Sequence, residues 1–569
     1  MPQEDQSAVE LNTVRDTAES IWIAIVLAFV LRAFFIEAFV IPTGSMAPRL
    51  MGEHWDLTCP NCDYAYAFGY PGNGGAKAPP PRDKREMVPD DATCPNCGYP
   101  FRKIGNVGLQ QLVNAGDRVL VMKYLYTFRD PEPWDVVVFK NPQNNLENYI
   151  KRLIGLPGET LEIVHGDVYV QNPQWPADLK GKSGWHIRRK PPKAQEAIWQ
   201  VVFDNDFRPE KGSIKHWKED GNAGRWDFSE DAKGYFGRKF VFKGQGPGDL
   251  MLDATDRAFL PVYGYNPPGR GYSAQLDVVS DLKLSAAFVP QSPDATLTLN
   301  LSSFENRFQA SVQADGGFVV RYCPKLDGQD WREWGRGQAA FGPTPEGRGH
   351  EIALAHVDFR VQLWIDGQCV FQSIDEKYSP DHDALKARME NIARDPIPAP
   401  SVRIGGSGGA FDLWHVRLMR DVFYTSSRVQ GSLEDIPTNR YARALGYKPD
   451  GPGWAVTGNP LVLSEDSYFV LGDNSPASLD GRGWYQAAPT LKLWKHPERE
   501  HPPAFEGVGP IDEKVTERNR ADARYLLGTV PKYNMIGKAL FVYWPAGLRP
   551  PGLDFLPLVP NAGEMRLIR

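Results

Sequence analysis

Hydrophobic positions along this chain fall into one long apolar segment near the N terminus and many short runs after it. Residues 21–31 (IWIAIVLAFVL) carry no charge, and the apolar character resumes as AFFIEAFVIP after Arg32. This length approaches the ~20 apolar residues that a helix needs to cross a bilayer. We therefore predict an N-terminal tail over 1–19 and a transmembrane helix over 20–38. A cleaved signal peptide is the alternative, but the preceding residues are acidic rather than basic and no small-residue cleavage site follows.

After residue 40 the apolar pattern changes to short β-branched and aromatic runs separated by Gly and Pro, which is typical of strands. Such runs are DRVLVMKYLY, WDVVVFK and NYIKRLIGLPGETLEIVHGDVYVQ before residue 172, and SYFVLGD and GKALFVYW near the C-terminal end. No second apolar run of spanning length appears. The pattern predicts a mainly β body attached to one membrane helix.

A stretch of about 230 residues between these runs has its own strand and hairpin rhythm. Its runs include LKLSAAFVP, ATLTLNL, RFQASVQADGGFVVRY, FRVQLWIDGQCVF and SVRIGG, with Asp-Gly turns at 315–316 and 366–367. We predict an inserted β-sandwich or jelly roll over 200–428, followed by a linker over 429–454. The strand pattern and the closing DLWHVRLMRDVFY resemble concanavalin/laminin-G-like jelly rolls.

Composition narrows the class of protein. A chain of 569 residues is too long for one core and predicts three or more packed units. With 42% hydrophobic and 24% charged residues it is globular. A net charge of -6 argues against a general nucleic-acid binder, so we expect no nucleic-acid partner.

Two matching CPNC motifs enclose a Gly/Pro-rich loop and predict a zinc-ribbon-like unit over 59–97. Four thiolates in two such pairs suit tetrahedral zinc, and disulfides are the alternative in an oxidising location. The candidate metal ligands are Cys59, Cys62, Cys94 and Cys97. The other two cysteines, Cys323 and Cys369, lie in predicted strands of the insert, where they either pair or stay apart.

Ser45, in a Gly-Ser-Met turn just past the apolar segment, is a candidate nucleophile, and a nucleophilic serine needs a nearby base. His54 is the histidine closest in sequence, but its polar GEHWD setting favours a solvated or structural role. A lysine can act as the base only when neutral, and at a pKa of about 10.4 only ~0.04% is neutral at pH 7. Burial lowers the pKa of lysine by about 3–5 units. Lys151 lies in an apolar run that would supply this dry setting.

Five sequence boxes occur in the order found in bacterial type I signal peptidases, the Ser/Lys leader peptidases of family S26. They are FVIPTGSMAPRL, GDRVLV, NYIKRLIGLPGE, GDNSPASLDGR and IGKALFVYWP. The resemblance covers residues 20–58, 98–195 and 455–545. It implies a signal-peptidase-type antiparallel β core made of residues 39–58, 98–199 and 455–569. The family core commonly lacks both the CPNC pair and the large insert.

The resemblance also implies roles for individual residues. Ser45 matches the nucleophile, Lys151 the general base, and Ser478 the hydroxyl that orients the lysine amine. Thr43 matches a hydroxyl, often serine in the family, that forms the oxyanion hole with the Ser45 N–H. The positions that line shallow pockets for small side chains are Phe39, Ile41, Met46, Leu50, Tyr149 and Ile150. The supporting polar network comprises Asp473, Asp480, Arg482 and Arg152.

The implied reaction is removal of signal peptides from exported preproteins, with cleavage of the Ala-X-Ala type. No metal or organic cofactor takes part in this chemistry, and any zinc on the cysteines would be structural. The implied partners are preprotein signal peptides, the lipid bilayer and the export translocon. The implied location is the cytoplasmic (inner) membrane, single-pass, with the catalytic body on the outer, periplasmic side. Arg32 and Arg49 favour the opposite orientation by the positive-inside rule, but membrane height on the outer side is where signal peptides end.

Two other functions compete with this one. One is an envelope binding protein whose sandwich holds a glycan or a protein ligand on an inert peptidase scaffold. Against it, all five boxes retain their reactive residues, and aromatic residues in the insert are expected to pack the sheets rather than to bind sugars. The other is a self-cleaving Ser/Lys repressor-type protease. Such proteins carry DNA-binding elements, whereas this chain has an apolar anchor segment.

Overall fold

The structure is a computed structural model. It describes residues 4–70, 85–89, 92–101, 110–144, 146–175, 184–209, 215–221, 224–227, 238–244, 246–254, 259–261, 263–266, 278–341, 349–425, 453–484, 528–545 and 562–568. The α-helices in these ranges are α1 (Glu4–Val30), α2 (Leu125–Phe128), α3 (Pro192–Ile198) and α4 (His382–Glu390).

Helix α1 continues through a π-helical turn, Leu31–Phe35, directly into the first strand. By length and composition Arg15–Phe35 can cross a membrane: its mean hydropathy is 2.0 and none of it is buried. The predicted transmembrane helix over 20–38 is wrong at its C-terminal end. The helix already runs from Glu4, and residues 36–38 are extended because the alternating IEAFV pairs with a neighbouring strand.

Strands occupy most of the body. Those before the insert are β1 (Ile36–Val40), β2 (His54–Thr58), β3 (Ala65–Gly69), β4 (Arg85–Met87), β5 (Gln110–Leu112), β6 (Arg118–Met122), β7 (Val136–Lys140), β8 (Asn148–Gly155), β9 (Thr160–Val164), β10 (Asp167–Gln171) and β11 (His186–Ile187). Those of the insert are β12 (Gln200–Asp204), β13 (Lys215–Glu219), β14 (Trp226–Asp227), β15 (Phe240–Phe242), β16 (Gly248–Ala254), β17 (Leu282–Pro290), β18 (Thr296–Ser303), β19 (Asn306–Gln313), β20 (Gly317–Cys323), β21 (Arg332–Gln338), β22 (His350–Val357), β23 (Arg360–Ile365), β24 (Gln368–Gln372), β25 (Val402–Ser407) and β26 (Phe411–Arg420). Those after it are β27 (Leu461–Val462), β28 (Ser467–Leu471), β29 (Val530–Pro531), β30 (Met535–Trp544) and β31 (Arg566–Leu567).

The chain on both sides of the insert builds one antiparallel core. Its main sheet has the order β1-β6-β30-β7-β8-β28-β29, with β31 on β30, and a second sheet has the order β11-β10-β9-β27. Strand β30 comes from the far C-terminal part, yet it lies between β6 and β7. The prediction of a mainly β, antiparallel core after one N-terminal apolar helix is confirmed.

The insert is a β-sandwich. One sheet has the order β14-β15-β26-β17-β22-β23-β24, with β12 on β26, and the other has the order β13-β16-β25-β18-β19-β20-β21. Apolar side chains from both sheets form one large core. Asp366 and Gly367 adopt positive φ in the turn between β23 and β24, as the hairpin pattern predicts. The sequence analysis did not identify β12–β16, β21 or β22. Most of the predicted linker, 429–454, lies outside the described residues.

The two CPNC motifs lie beside two short hairpin-like strand pairs, β2-β3 and β4-β5. Strand β2 pairs with β3 across the predicted start at residue 59, and β4 pairs with β5 across the predicted end at residue 97. Residues 59 and 97 therefore each lie between two paired strands. Trp55, Leu57 and Phe68 form an apolar core in this region.

Candidate active site

The nucleophile candidate lies in a tight turn that follows β1. The Ala47 N–H donates to the Gly44 carbonyl (3.0 Å) and the Leu50 N–H to the Met46 carbonyl (2.9 Å). Met46 and Leu50 are fully buried in the apolar cluster beside this turn. Ser45 itself is 8% exposed. Apolar burial on the C-terminal side therefore holds the turn in place with the hydroxyl beside the core.

Lys151 lies on β8, opposite Val137 of β7. Only 3% of it is exposed, and its Nζ donates a hydrogen bond to the Ser45 Oγ. The ring of Tyr149 lies 5.5 Å from the same amine. The structure therefore brings the two predicted reactive groups, 106 residues apart in sequence, into direct contact.

Burial is the main influence on the amine. It lowers the pKa of Lys151 from 10.5 to about 8, because an ammonium ion loses its hydration in this site. The carboxylates of Asp480 and Asp473 oppose this shift, and the guanidinium of Arg482 adds to it. Each carboxylate is already paired with an arginine, so the loss of hydration prevails. The result is an amine that can be neutral near physiological pH.

The predicted polar network forms two buried ion pairs beside the lysine. Arg152 binds Asp473 through two hydrogen bonds (2.7 and 2.6 Å), and Arg482 binds Asp480 through two more (2.8 and 2.7 Å). All four side chains are almost completely buried. Asp480 also accepts the Gly472 N–H (3.0 Å). Such bidentate pairs have fixed geometry, which suits a scaffold for the site.

Ser478 lies beside the site without the bond that the resemblance implies. Its Oγ is buried and has no hydrogen-bond partner among the described residues, whereas the Lys151 amine bonds to Ser45. The expected Ser478–Lys151 hydrogen bond is therefore absent. A Cβ on Gly472 would lie 2.1 Å from this Oγ and 2.5 Å from the Ser45 carbonyl oxygen. Only glycine at 472 leaves room for both serines to approach.

Thr43 is exposed at the start of the nucleophile turn. Gly52 packs against its backbone so closely that a Cβ there would lie 2.3 Å from the Thr43 carbonyl carbon. The Ser45 N–H donates no hydrogen bond to any described residue. The Ser45 N–H and the Thr43 hydroxyl, two residues apart, are candidate donors for an oxyanion hole.

Five of the six predicted pocket residues share one apolar cluster, and the sixth lies in the neighbouring one. The first five are Phe39, Ile41, Met46, Leu50 and Ile150. Tyr149 packs with Phe139 and Trp484 on the other side of β8. Phe39 is half-buried, whereas the other four predicted pocket residues of this cluster are buried.

His54 has a structural position. Its ring is completely buried, and Nδ1 lies 2.7 Å from the Gly52 carbonyl oxygen while Nε2 lies 3.3 Å from the Asp56 carboxylate. The structural interpretation of this histidine agrees with these contacts, and the solvated one does not.

The four CPNC cysteines come together as one buried cluster. Their Sγ atoms all lie within 4.8 Å of one another, and the Cys59–Cys97 and Cys62–Cys94 pairs are each 3.7 Å apart. A tetrahedral zinc site with Zn–S of about 2.3 Å requires an S–S separation of about 3.8 Å. A disulfide would require about 2.05 Å. The donor set fits zinc. Cys323 is buried and Cys369 exposed, and neither forms a disulfide in the described part of the chain.

Several residues of the site escaped the sequence analysis. Asn474 donates its side-chain N–H to the Gly44 carbonyl (2.8 Å) and its backbone N–H to the Ser45 carbonyl (3.0 Å). Its place inside the GDNS box was the available signal. Tyr265, Asn266 and Thr425 reach the site from the insert and its end, and no sequence pattern marks them.

Known proteins are similar to this chain over part of its length. Residues 102–202 match the family model described as signal peptidase, peptidase S26. Signal peptidase I of Rickettsia typhi is 25% identical over 161 residues, 28% of this chain and 45% of that protein. Probable signal peptidase I-2 of Synechocystis is 37% identical over 75 residues, 12% of this chain and 34% of that protein. The chain thus spans less than half the length of these curated relatives.

Among solved structures, a carbohydrate-binding module from Bacillus subtilis aligns at 10% identity over 36% of this chain and 94% of that chain, with a TM-score of 0.22. That score is too low to support an argument. The matched family segment contains Lys151 but neither Ser45 nor Ser478. Over residues 102–202 this chain is therefore similar to the signal peptidases of family S26.

Proposed function

We propose that this chain is a membrane-anchored serine endopeptidase that removes signal peptides from exported preproteins. Ser45 is the nucleophile and Lys151 the general base. The observation that carries the proposal is the contact between the buried Lys151 amine and the Ser45 hydroxyl. Burial of a lysine is energetically costly. The pKa of about 8 and the contact of the amine with a serine hydroxyl therefore support a catalytic role for Lys151 rather than a structural one.

The reaction follows from these positions. The neutral Lys151 amine takes the proton as the Ser45 Oγ attacks the carbonyl carbon of the scissile bond. The exposed Thr43 hydroxyl and the free Ser45 N–H stabilise the oxyanion. The protonated amine then gives its proton to the leaving amine, and an acyl-enzyme remains. The same lysine, neutral again, activates the water that releases the acyl group.

The substrate has a free strand edge on which to bind. Residues 148–151 of β8 pair with β7 on one side, whereas β28 pairs with β8 only at Arg152, Leu153 and Gly155. Within the described ranges, the other edge of 148–151 is therefore unpaired beside Lys151. An extended signal peptide adds there as a strand, with main-chain hydrogen bonds for affinity.

The apolar cluster of Ile41, Met46, Leu50 and Ile150 supports a preference for small side chains. These residues are buried, and as the apolar floor of the substrate site they would favour alanine over a larger branched side chain. We propose cleavage after Ala-X-Ala-type sequences on this ground. Replacing the last alanine of such a signal by leucine is expected to abolish cleavage, and equal cleavage of both substrates would contradict the pocket assignment.

The apolar α1 supports a single-pass anchor in the cytoplasmic (inner) membrane, and we place the catalytic body on the outer, periplasmic side. Because β1 follows the helix without a linker, Ser45 lies within ten residues of Phe35, the last residue of the candidate span. Signal peptides and lipid are the corresponding partners. An export translocon, and a glycan or protein ligand for the insert, stay predictions. The buried packing of Trp217 and Trp226 in the sandwich core supports a structural role for those aromatic residues.

The test uses the full chain in detergent micelles with a purified preprotein. Lys151→Ala and Ser45→Ala are expected to lower cleavage by at least about 1,000-fold. Lys140→Ala is the matched control, because that lysine is exposed on the neighbouring strand β7. Cleavage by Lys151→Ala at the rate of the unaltered chain would reject the mechanism.

We propose further that the four cysteines hold a structural zinc ion. Asn61 and Asn96 each direct a side-chain N–H at a cysteine of the opposite knuckle, Cys97 (3.7 Å) and Cys62 (3.8 Å), which suits thiolate ligands. The cluster plays no part in catalysis. The purified chain is expected to contain one zinc per molecule by elemental analysis, lost in Cys94→Ser and retained in Cys369→Ser. Two disulfides in the unreduced protein by mass spectrometry would contradict the zinc site.

A further inference from the structure

A short segment of the insert, 263–266, reaches the nucleophile turn of the peptidase core. Asn266 is buried, as is Asn474 of the GDNS box. Their side chains form two reciprocal hydrogen bonds, Asn266 Nδ2 to Asn474 Oδ1 (2.6 Å) and Asn474 Nδ2 to Asn266 Oδ1 (2.8 Å). A paired amide of this kind has its orientation fixed by both partners.

Asn474 passes this orientation on to the nucleophile. Its Nδ2 also donates to the Gly44 carbonyl (2.8 Å), and its backbone N–H donates to the Ser45 carbonyl (3.0 Å). The peptide groups on either side of the Ser45 Cα are therefore both held by one residue. If the Asn266 amide is removed, the Asn474 side chain is free to rotate away from Gly44.

Tyr265 closes the same turn from the side. A Cβ on Gly44 would lie 2.1 Å from its ring, and a Cβ on Gly69 of β3 would lie 2.4 Å from it. Its hydroxyl donates to the Glu53 carbonyl (3.0 Å), and its carbonyl accepts the Gly69 N–H (2.7 Å). The ring thus lies wedged between the nucleophile turn and the β2–β3 hairpin.

We propose that Asn266 and Tyr265 of the insert are positioning residues for Ser45, so that the insert is part of the catalytic apparatus. This inference rests on the proposed peptidase function. Within the described ranges, neither residue contacts the Lys151 amine. Asn266 therefore acts on Ser45 through Asn474, and Tyr265 acts through Gly44. Misplacement of a reacting group by about 1 Å lowers rates by about 100-fold.

The test compares Asn266→Ala with Asn300→Ala in the full chain. Asn300 is the matched control because its side chain bonds to Gln309 within the sandwich (3.1 Å). For Asn266→Ala, kcat is expected to fall about 10- to 100-fold with KM changed by less than about threefold. The midpoint of its pH–rate profile is expected to be unchanged, because Lys151 stays buried. A general folding defect would instead lower the fraction of active molecules, without a selective increase in amide hydrogen exchange at the turn over residues 44–50.

Two further measurements make the result independent of folding and of activity. In an Asn474→Ala background, Asn266→Ala is expected to lower kcat no further, since the path through Asn474 is already broken. Hydrogen exchange of the peptide over 44–50 is expected to accelerate in Asn266→Ala and not in Asn300→Ala, in molecules that melt at the temperature of the unaltered chain.

The outcomes separate this inference from the proposed function. If the unaltered chain cleaves, Lys151→Ala does not, and Asn266→Ala cleaves within about twofold of the unaltered rate, positioning by the insert is wrong and the peptidase stands. If the unaltered chain and Lys151→Ala do not differ, the peptidase proposal fails, and hydrogen exchange alone decides whether Asn266 holds the turn. Unchanged exchange over 44–50 overturns the inference in either case.

Discussion

The proton on Lys151 should control the rate of cleavage, and pH is the simplest way to change it. With a pKa of about 8, about 1% of the amine is neutral at pH 6, about 9% at pH 7 and about 90% at pH 9. An unburied lysine would be about 0.03% neutral at pH 7. Burial therefore raises the neutral fraction of the amine roughly 300-fold at neutral pH. The cause is the exclusion of water from Lys151.

We expect kcat/KM to rise about 90-fold from pH 6 to pH 9, with a midpoint near 8 and a plateau above it. The assay is cleavage of an internally quenched Ala-X-Ala peptide, chosen without titratable groups near the scissile bond, by the full chain in micelles. A midpoint between 6 and 7 would indicate a histidine base. A midpoint above 10, with cleavage already substantial at neutral pH, would show that the amine keeps its proton and would refute the reasoning.

The same burial has a consequence for stability that a second measurement can check. Because the folded chain binds this proton more weakly than the unfolded chain, its stability rises as pH increases from about 8 to 10.5. The shift of about 2.5 units corresponds to about 3 kcal/mol that opposes folding at pH 7. Lys151→Met is therefore expected to be inactive yet more stable by about 1–3 kcal/mol in urea unfolding at pH 7. A Lys151→Met variant less stable than the unaltered chain would show that burial of the Lys151 amine does not lower the stability of the fold.

Two substitutions test the scaffold of the site. Asp473→Asn leaves the buried Arg152 guanidinium without its counter-charge and is expected to lower the free energy of unfolding in urea by about 3–5 kcal/mol. The control Asp130→Asn, at an exposed ion pair, is expected to lower it by less than about 1 kcal/mol. Equal losses of stability in the two variants would contradict the role assigned to burial. Gly44→Ala is expected to abolish cleavage because its Cβ would meet the ring of Tyr265, and Tyr265→Ala in the same chain is expected to restore part of it. A Gly44→Ala chain as active as the unaltered one would show that the ring moves aside freely.

Local patterns predicted most of the elements. The alternating IEAFV and the apolar NYIKRLIG form strands β1 and β8 because β-branched and aromatic side chains fit a pleated, half-buried surface. Asp366-Gly367 turns a hairpin because both positions adopt positive φ. The predicted end of the membrane helix is wrong because the local pattern there does not separate helix from strand. Residues 36–38 (IEA) continue a run that is apolar apart from Glu37, and they are extended where they pair with β6.

The candidate site divides in the same way. The sequence boxes identified Ser45, Lys151 and the two arginine–carboxylate pairs, since each box is a short local run. The absence of a Ser478–Lys151 bond could not be read from those runs, because it depends on where the Lys151 amine points in the folded chain.

By itself, the sequence determined which residues are chemically able to act: one hydroxyl, one lysine in an apolar strand, four thiols at metal-ligand spacing and one segment apolar enough for a bilayer. Those properties belong to individual side chains and to local periodicity, so they do not depend on how the chain folds. Only the tertiary structure decided that Lys151 loses its water, that Asn266 reaches Asn474 across 208 residues, and that β30 separates β6 from β7. Burial and contact between distant residues arise when the whole chain packs, and no short run of residues contains them.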